Sequence, residues 1–270
     1  MLSTFMMPFV IKAFFCGTII GSICACYGIF VTINKMAFFS ESVSHSSIAA
    51  AAFALWLGID VSVFTIFFSL AVASAIALVS QSSISSKDSV IGIIHSTTIA
   101  VGIIILSFLS GGNNDISKYL FGDILAITNL DIWLCTGLLV LALIYMLKFG
   151  RTHMITCLTP EFSVIEGISV KLYDFLMMLI LAFIISLSVK IVGAILVTAL
   201  LIIPSNASKN IAKSFKSFAV MSFIFGALSA VAGIAFSVAA DLPAGPAIIV
   251  VNALFYFLTF FMRSVFNFGV

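Results

Sequence analysis

Residues Lys35 to Ala52 read KMAFFSESVSHSSIAAAA, and from Ser42 to Ile59 no Asp, Glu, Lys or Arg occurs. The stretch opens an apolar run, yet it carries Glu41 and His45 at its head. On a helix, side chains four residues apart lie one above the other on the same face. A carboxylate and an imidazole placed in that way suit a borderline divalent cation such as zinc. Ionisable groups inside a membrane span are expensive and face a pathway or a partner rather than lipid. A plainer reading fits the same residues, with Glu41 a solvated helix-start residue and His45 a hydrogen-bonded core histidine.

The pattern repeats outward from this stretch. Leaving His aside, charge-free runs occupy 13–34, 42–59, 61–86, 89–114, 132–147, 175–189, 191–208, 217–240 and 242–262. A helix needs about 20 residues to cross the hydrocarbon. The two shortest runs can extend past their flanking charges, because lysine snorkels. The runs are continuous rather than alternating, which excludes a transmembrane β-barrel. The chain is 63% hydrophobic and 8% charged, with mean hydropathy +1.32, where a soluble domain is about 25% charged. The expected architecture is therefore all-α: a polytopic integral membrane protein of about nine transmembrane helices, forming one integral membrane domain over 1–270. The count drops to eight if the seventh run merges with a neighbour as a broken helix.

Basic residues set the orientation. With nine spans, one set of connections holds Lys35, Lys87, Lys148, Arg151, Lys171, Lys209, Lys213, Lys216 and Arg263, and the other holds only Lys12, Lys118 and Lys190. The richer set is placed in the cytoplasm, so the N-terminus is outside and the C-terminus inside. The first apolar run is longer than a signal-peptide core, and no cleavable signal is expected. A net charge of +2 gives no reason to expect a nucleic-acid partner.

Other features fall along this frame. Gly17 and Gly21 form a GxxxG that allows close helix approach. His95, in the fourth run, is a second ligand candidate or an intramembrane hydrogen-bonding group. GGNND at 111–115 is a turn cluster, and 119–129 is too short to span. The largest cytoplasmic loop is read over 148–174, with His153 and Cys157 in it. Within that loop Pro160 suits the first turn of a short helix, Glu161 its positive end, and Val164, Ile165 and Ile168 an apolar stripe. The segment at about 158–172 is suited to docking on a cytosolic partner. Pro204 breaks the hydrogen-bond ladder of the seventh run, which makes Pro204 and its neighbour Asn206 pathway candidates. The five cysteines form no CxxC pair and are read as packing residues. No P-loop, GxSxG, HExxH or CxxCH occurs, so a transport path fits better than an enzyme.

Four stretches together resemble the membrane permease subunits of zinc and manganese ABC importers, the ABC-3 type metal permeases. SESVSHSSIA (40–49) resembles the family's acid-x-x-x-His segment, and EFSVIEGISV (161–170) its ATPase-coupling segment. KIVGAILVTALLIIPSNASKNIA (190–212) is the most specific likeness, and DLPAGPAIIVVN (241–252) resembles the closing motif. The likeness covers nearly the whole chain in order. It implies a multi-pass protein of the bacterial cytoplasmic membrane that imports a divalent transition metal, zinc first and manganese or iron next. It also implies a homodimer, separate cytosolic ABC ATPase subunits and an extracytoplasmic metal-binding protein. No permanently bound cofactor is expected, the metal being cargo. Glu41 and His45 would lie on the metal path, and Glu161, Glu166 and Gly167 at the ATPase contact. The chain departs from the family in having Glu41 where Asp is usual, which adds a methylene to the reach of the carboxylate. The rival functions are a permease for an iron chelate or cobalamin, which would not depend on Glu41 or His45, and a stand-alone secondary transporter. The latter would carry buried ionisable residues in several spans, and acids are nearly absent from the span interiors here.

Overall fold

A computed structural model describes residues 7–108 and 127–266. The turn cluster at 111–115 and nearly all of 119–129 lie outside the described residues. Among those described, every apolar run is a helix: α1 (Pro8–Ile33), α2 (Ala37–Leu57), α3 (Val61–Ser82), α4 (Lys87–Phe108), α5 (Asn129–Leu158), then after the short α6 (Pro160–Ile165), α7 (Val170–Val192), α8 (Ala194–Lys209), α9 (Phe215–Ala240) and α10 (Ala244–Phe266). Seven of these are long and apolar enough to cross a membrane; α8 is shorter, and α2 is diluted by its serines.

Local chemistry sets the boundaries. Pro8 and Pro160 stand in the first turns of α1 and α6, where no amide partner is needed. Asp60 accepts the Val63 amide at 2.9 Å to cap α3, and Thr128 and Asp131 form a reciprocal capping box on α5. α2 ends where Gly58 turns left-handed at φ 67° and the Ile59 amide reaches back to the Ala54 carbonyl.

Side chains at the helix ends show how the passes alternate. At one end Thr32 of α1 meets Ser205 of α8 at 2.9 Å, and Asn34 donates to Cys157 of α5. Gln81 of α3 donates to the Lys171 carbonyl of α7, Lys87 of α4 pairs with Asp174 of α7, and Asn210 donates to Thr259 of α10. At the opposite end Lys190 of α7 pairs with Asp131 of α5 at 3.5 Å. Such pairs contribute about 1 kcal/mol or less each; their weight is in fixing register. Leaving aside the short α6, the nine helices among the described residues thus run up and down in turn, and the two termini of the described chain lie at opposite ends.

α1 is the hub, packed on α9, α8 and α5. Its small residues permit this: a Cβ at Gly21 would overlie the Gly226 carbonyl, 2.6 Å from its oxygen, so α1 and α9 touch backbone to backbone. In lipid, helix association gains little from apolar burial alone, and close contact of small residues supplies the packing attraction. α3, α4, α5 and α10 bury much smaller fractions of their surfaces and form the outside.

One expectation is corrected. The residues 148–158 are not loop: α5 continues through Lys148 and Arg151 to Leu158. A charge marks where a helix leaves the hydrocarbon, not where its hydrogen bonding stops. Lys148 and Arg151 are exposed while Gly150, His153 and Thr156 are buried on the other face. His153 is accordingly an interior side chain, hydrogen-bonded to the Tyr145 hydroxyl at 2.6 Å and packed edge-on against Phe30 and Tyr173. Of the two span counts left open, the separate seventh run is the one found. α7 and α8 are separated at Gly193, whose φ of 89° and ψ of 156° belong to a region that only glycine visits readily.

Candidate metal path

α2 is the polar helix of the bundle. Ser40, Ser42, Ser44, Ser46 and Ser47 are all buried, because α2 packs on α4, α3, α8 and α7. Several of these hydroxyls are satisfied locally: Ser46 donates to the Val43 carbonyl and Ser47 to that of Ser44. Thr198 of α8 reaches the Ser44 hydroxyl at 3.4 Å.

Glu41 and His45 sit half-buried on this helix. His45 is about 12 Å along the axis from the start of α2, in a helix about 31 Å long, at 1.5 Å per residue. His95 lies about 12 Å into α4, measured from the same end of the bundle. The two rings meet with centroids 5.7 Å apart and planes at 72°. This close approach is possible because α2 and α4 nearly touch at Gly102, where a Cβ would lie 2.8 Å from the Cα of Ala49.

A cleft of about 450 Å³ opens between the two helices, lined by His45, Ile48, Ala49, Ile99, Ile103, Leu106 and Ser107. Among the described residues, Glu41, His45 and His95 make no hydrogen bond or ion pair, and Nδ1 of His95 is buried without a partner. An unsatisfied buried polar atom costs roughly 1–3 kcal/mol. Of the three side chains His45 lines the cleft itself, with His95 against its ring. No three His, Cys, Asp or Glu side chains among the described residues are already gathered around one point. One chain therefore offers a partial ligand set, not a closed cage.

The other site residues expected from the sequence stand elsewhere. Pro204 is buried within α8, and Asn206 donates to the Ile202 carbonyl and to Thr32 of α1. Asn206 thus faces α1, and neither residue lines the cleft. Glu161, Glu166 and Gly167 are exposed around α6, with Glu161 in its first turn and Gly167 at φ 73° just beyond its end. Phe162, Val164 and Ile165 are exposed beside them, at 50%, 67% and 82%, so α6 presents an uncovered apolar surface at the end of the bundle. The serine lining of α2 and the Thr198 contact are additions that sequence reading missed. The repeated Ser at 40, 42, 44, 46 and 47 was their only visible trace.

The chain is 30% identical over 260 residues to the "High-affinity zinc uptake system membrane protein ZnuB" of Haemophilus influenzae, covering 96% of this chain and 99% of that one. It is also 30% identical to the "Manganese transport system membrane protein MntC" of Halalkalibacterium halodurans, over 90% of this chain and 83% of that one. Among solved structures, that of "PsaBC from Streptococcus pneumoniae in complex with Fab" superposes with a TM-score of 0.83 at 28% identity, covering 96% of this chain and 95% of that one. The sequence profile of the ABC 3 transport family matches residues 6–263, and this chain belongs to that family.

Proposed function

We propose that this chain is the membrane-spanning permease of an ABC importer for a divalent transition metal, zinc before manganese or iron, in a bacterial cytoplasmic membrane. The observation that carries the reading is the unengaged group of Glu41, His45 and His95 beside a cleft midway along α2 and α4. Transport sites built between helices are commonly found at such depths. The relatives' printed names, which include both zinc and manganese systems, support the cargo class.

The chain works in this reading as a pair of copies. A tetrahedral zinc site takes four ligands, and two copies meeting at the α2–α4 face would supply Glu41 and His45 twice. Ligands carried on separate subunits part when the subunits rock, which releases the ion instead of trapping it. Separate ATPase subunits supply the energy and dock at α6 through Phe162, Val164 and Ile165, with Glu161, Glu166 and Gly167 around them. A metal-binding protein delivers the ion at the opposite end. The chain itself performs no covalent chemistry.

The test is metal uptake in proteoliposomes holding the permease with its cognate ATPase and binding protein, with zinc, manganese and iron run side by side. ATP-dependent zinc uptake that is lost in Glu41→Ala/His45→Ala supports the reading. Undiminished transport through that double variant overturns it.

A further inference from the structure

We infer that His95 donates a second imidazole to the ion held at His45 and thereby biases the path toward zinc over manganese. The inference rests on the proposed metal path. It adds a ligand carried on a different helix and a basis for choosing between metals.

The geometry supports a shared ion. Two imidazoles bound to one zinc through nitrogens at about 2.0–2.1 Å place their ring centroids about 5–6 Å apart. The His45 and His95 centroids are 5.7 Å apart. The spacing of the two rings therefore already matches that of two imidazoles on one ion. His95 also has a reason to move. Its buried Nδ1 has no partner, and a structural histidine at this depth would be expected to hold a hydrogen bond, as His153 does with Tyr145.

The chemistry then favours one cargo. Glu41 and His45 alone offer one oxygen and one nitrogen per copy, a set that suits manganese and zinc alike. Imidazole nitrogen suits zinc, whereas manganese prefers carboxylate, carbonyl and water oxygens. A second imidazole shifts each copy's set toward nitrogen. The cleft wall beyond His45 is formed by Ile48, Ala49, Ile99, Ile103, Leu106 and Ser107. The Ser107 hydroxyl, which donates to the Ile104 carbonyl, is the one side-chain oxygen among them, and no carboxylate or amide is there to restore the balance for manganese.

The experiment measures zinc and manganese uptake by the complete importer in proteoliposomes, for wild type, His95→Gln and His95→Phe. His95→Phe keeps an aromatic ring against His45 and removes both nitrogens. The expected result is that both variants lower the zinc-to-manganese uptake ratio by at least about tenfold, the scale on which losing one metal-supporting group acts. Zinc should also become a weaker competitor of manganese uptake. If the ratio is unchanged in both variants, or if His95→Phe keeps wild-type zinc uptake, His95 is a packing residue and the inference is overturned. The double variant Glu41→Ala/His45→Ala is run alongside. Its retention of uptake for both metals would sink the metal-path reading itself, whereas its loss together with an unchanged ratio in the His95 variants would sink only the role of His95.

Discussion

Gly28 of α1 and Leu201 of α8 meet backbone to backbone. A Cβ added at Gly28 would overlap the Leu201 carbonyl oxygen and lie 2.8 Å from its carbonyl carbon. This contact seats α8 on the hub helix and, through Thr198 and Ser44, holds the inner side of α2. Since the obstruction is backbone, it cannot be relieved by rotating a side chain.

Gly28→Ala is therefore expected to destabilise the permease by about 1–3 kcal/mol, the usual cost of overpacking. Gly92→Ala, where nothing lies within 4 Å of the added carbon, should be neutral or slightly stabilising, since alanine is the better helix former. Thermal unfolding of the detergent-purified protein compares the two. Equal melting temperatures for both variants would contradict the tight α1–α8 contact.

Orientation is expected to follow the basic residues, with the α6 end in the cytoplasm. In a cysteine-free background, Glu161→Cys should react with a membrane-impermeant maleimide only after the cytoplasmic face is opened. Ile59→Cys, exposed in the turn between α2 and α3, should react in intact cells. The reverse pattern would invert the protein in the membrane.

The apolar surface of α6 should be required for coupling. Ile165 is 82% exposed, so Ile165→Glu removes an apolar contact without disturbing the core. Together with Glu166→Lys it should leave the permease folded and inserted while abolishing metal-stimulated ATP hydrolysis and uptake. Gly167 is a less clean target, because its φ of 73° strains any larger residue. Normal hydrolysis and uptake in both variants would make α6 an ordinary interfacial helix.

At the metal path, His45→Ala should abolish uptake or reduce it strongly while assembly of the two copies survives. Glu41→Asp should be tolerated, since it keeps the charge, whereas Glu41→Gln should impair transport. Acidification should lower uptake, because a protonated imidazole cannot bind metal. Size-exclusion chromatography alongside uptake separates loss of transport from loss of assembly. Full activity of Glu41→Gln would remove the carboxylate from the path.

Much of the candidate site was legible because its signals are local. Glu41 and His45 are neighbours on one helical face whatever the rest of the chain does, and Pro160 announces α6 in the same way. The companionship of His95 and His45 was not legible. It depends on α2 and α4 closing at Ala49 and Gly102, and both residues are unremarkable in a chain rich in small side chains. Pro204 marks a helix break in the sequence, but the partner of its neighbour Asn206 is Thr32 of α1, a contact between residues far apart in sequence with no local signature.

By itself the sequence determined that this is a helical membrane protein of about nine passes, where each pass lies, and which turn carries an acid and a histidine. Hydrocarbon enforces that much, since each crossing demands a long uncharged run with its backbone hydrogen bonds satisfied internally. Tertiary structure alone decided which helices touch: α1 at the centre, α2 against α4, and α8 broken from α7 to fold back beside α1. Helices apolar all round carry no stripe that names the buried face. Their contacts are chosen by the close fit of small residues such as Gly21 on Gly226 and Gly28 on Leu201, which exists only once the helices are side by side.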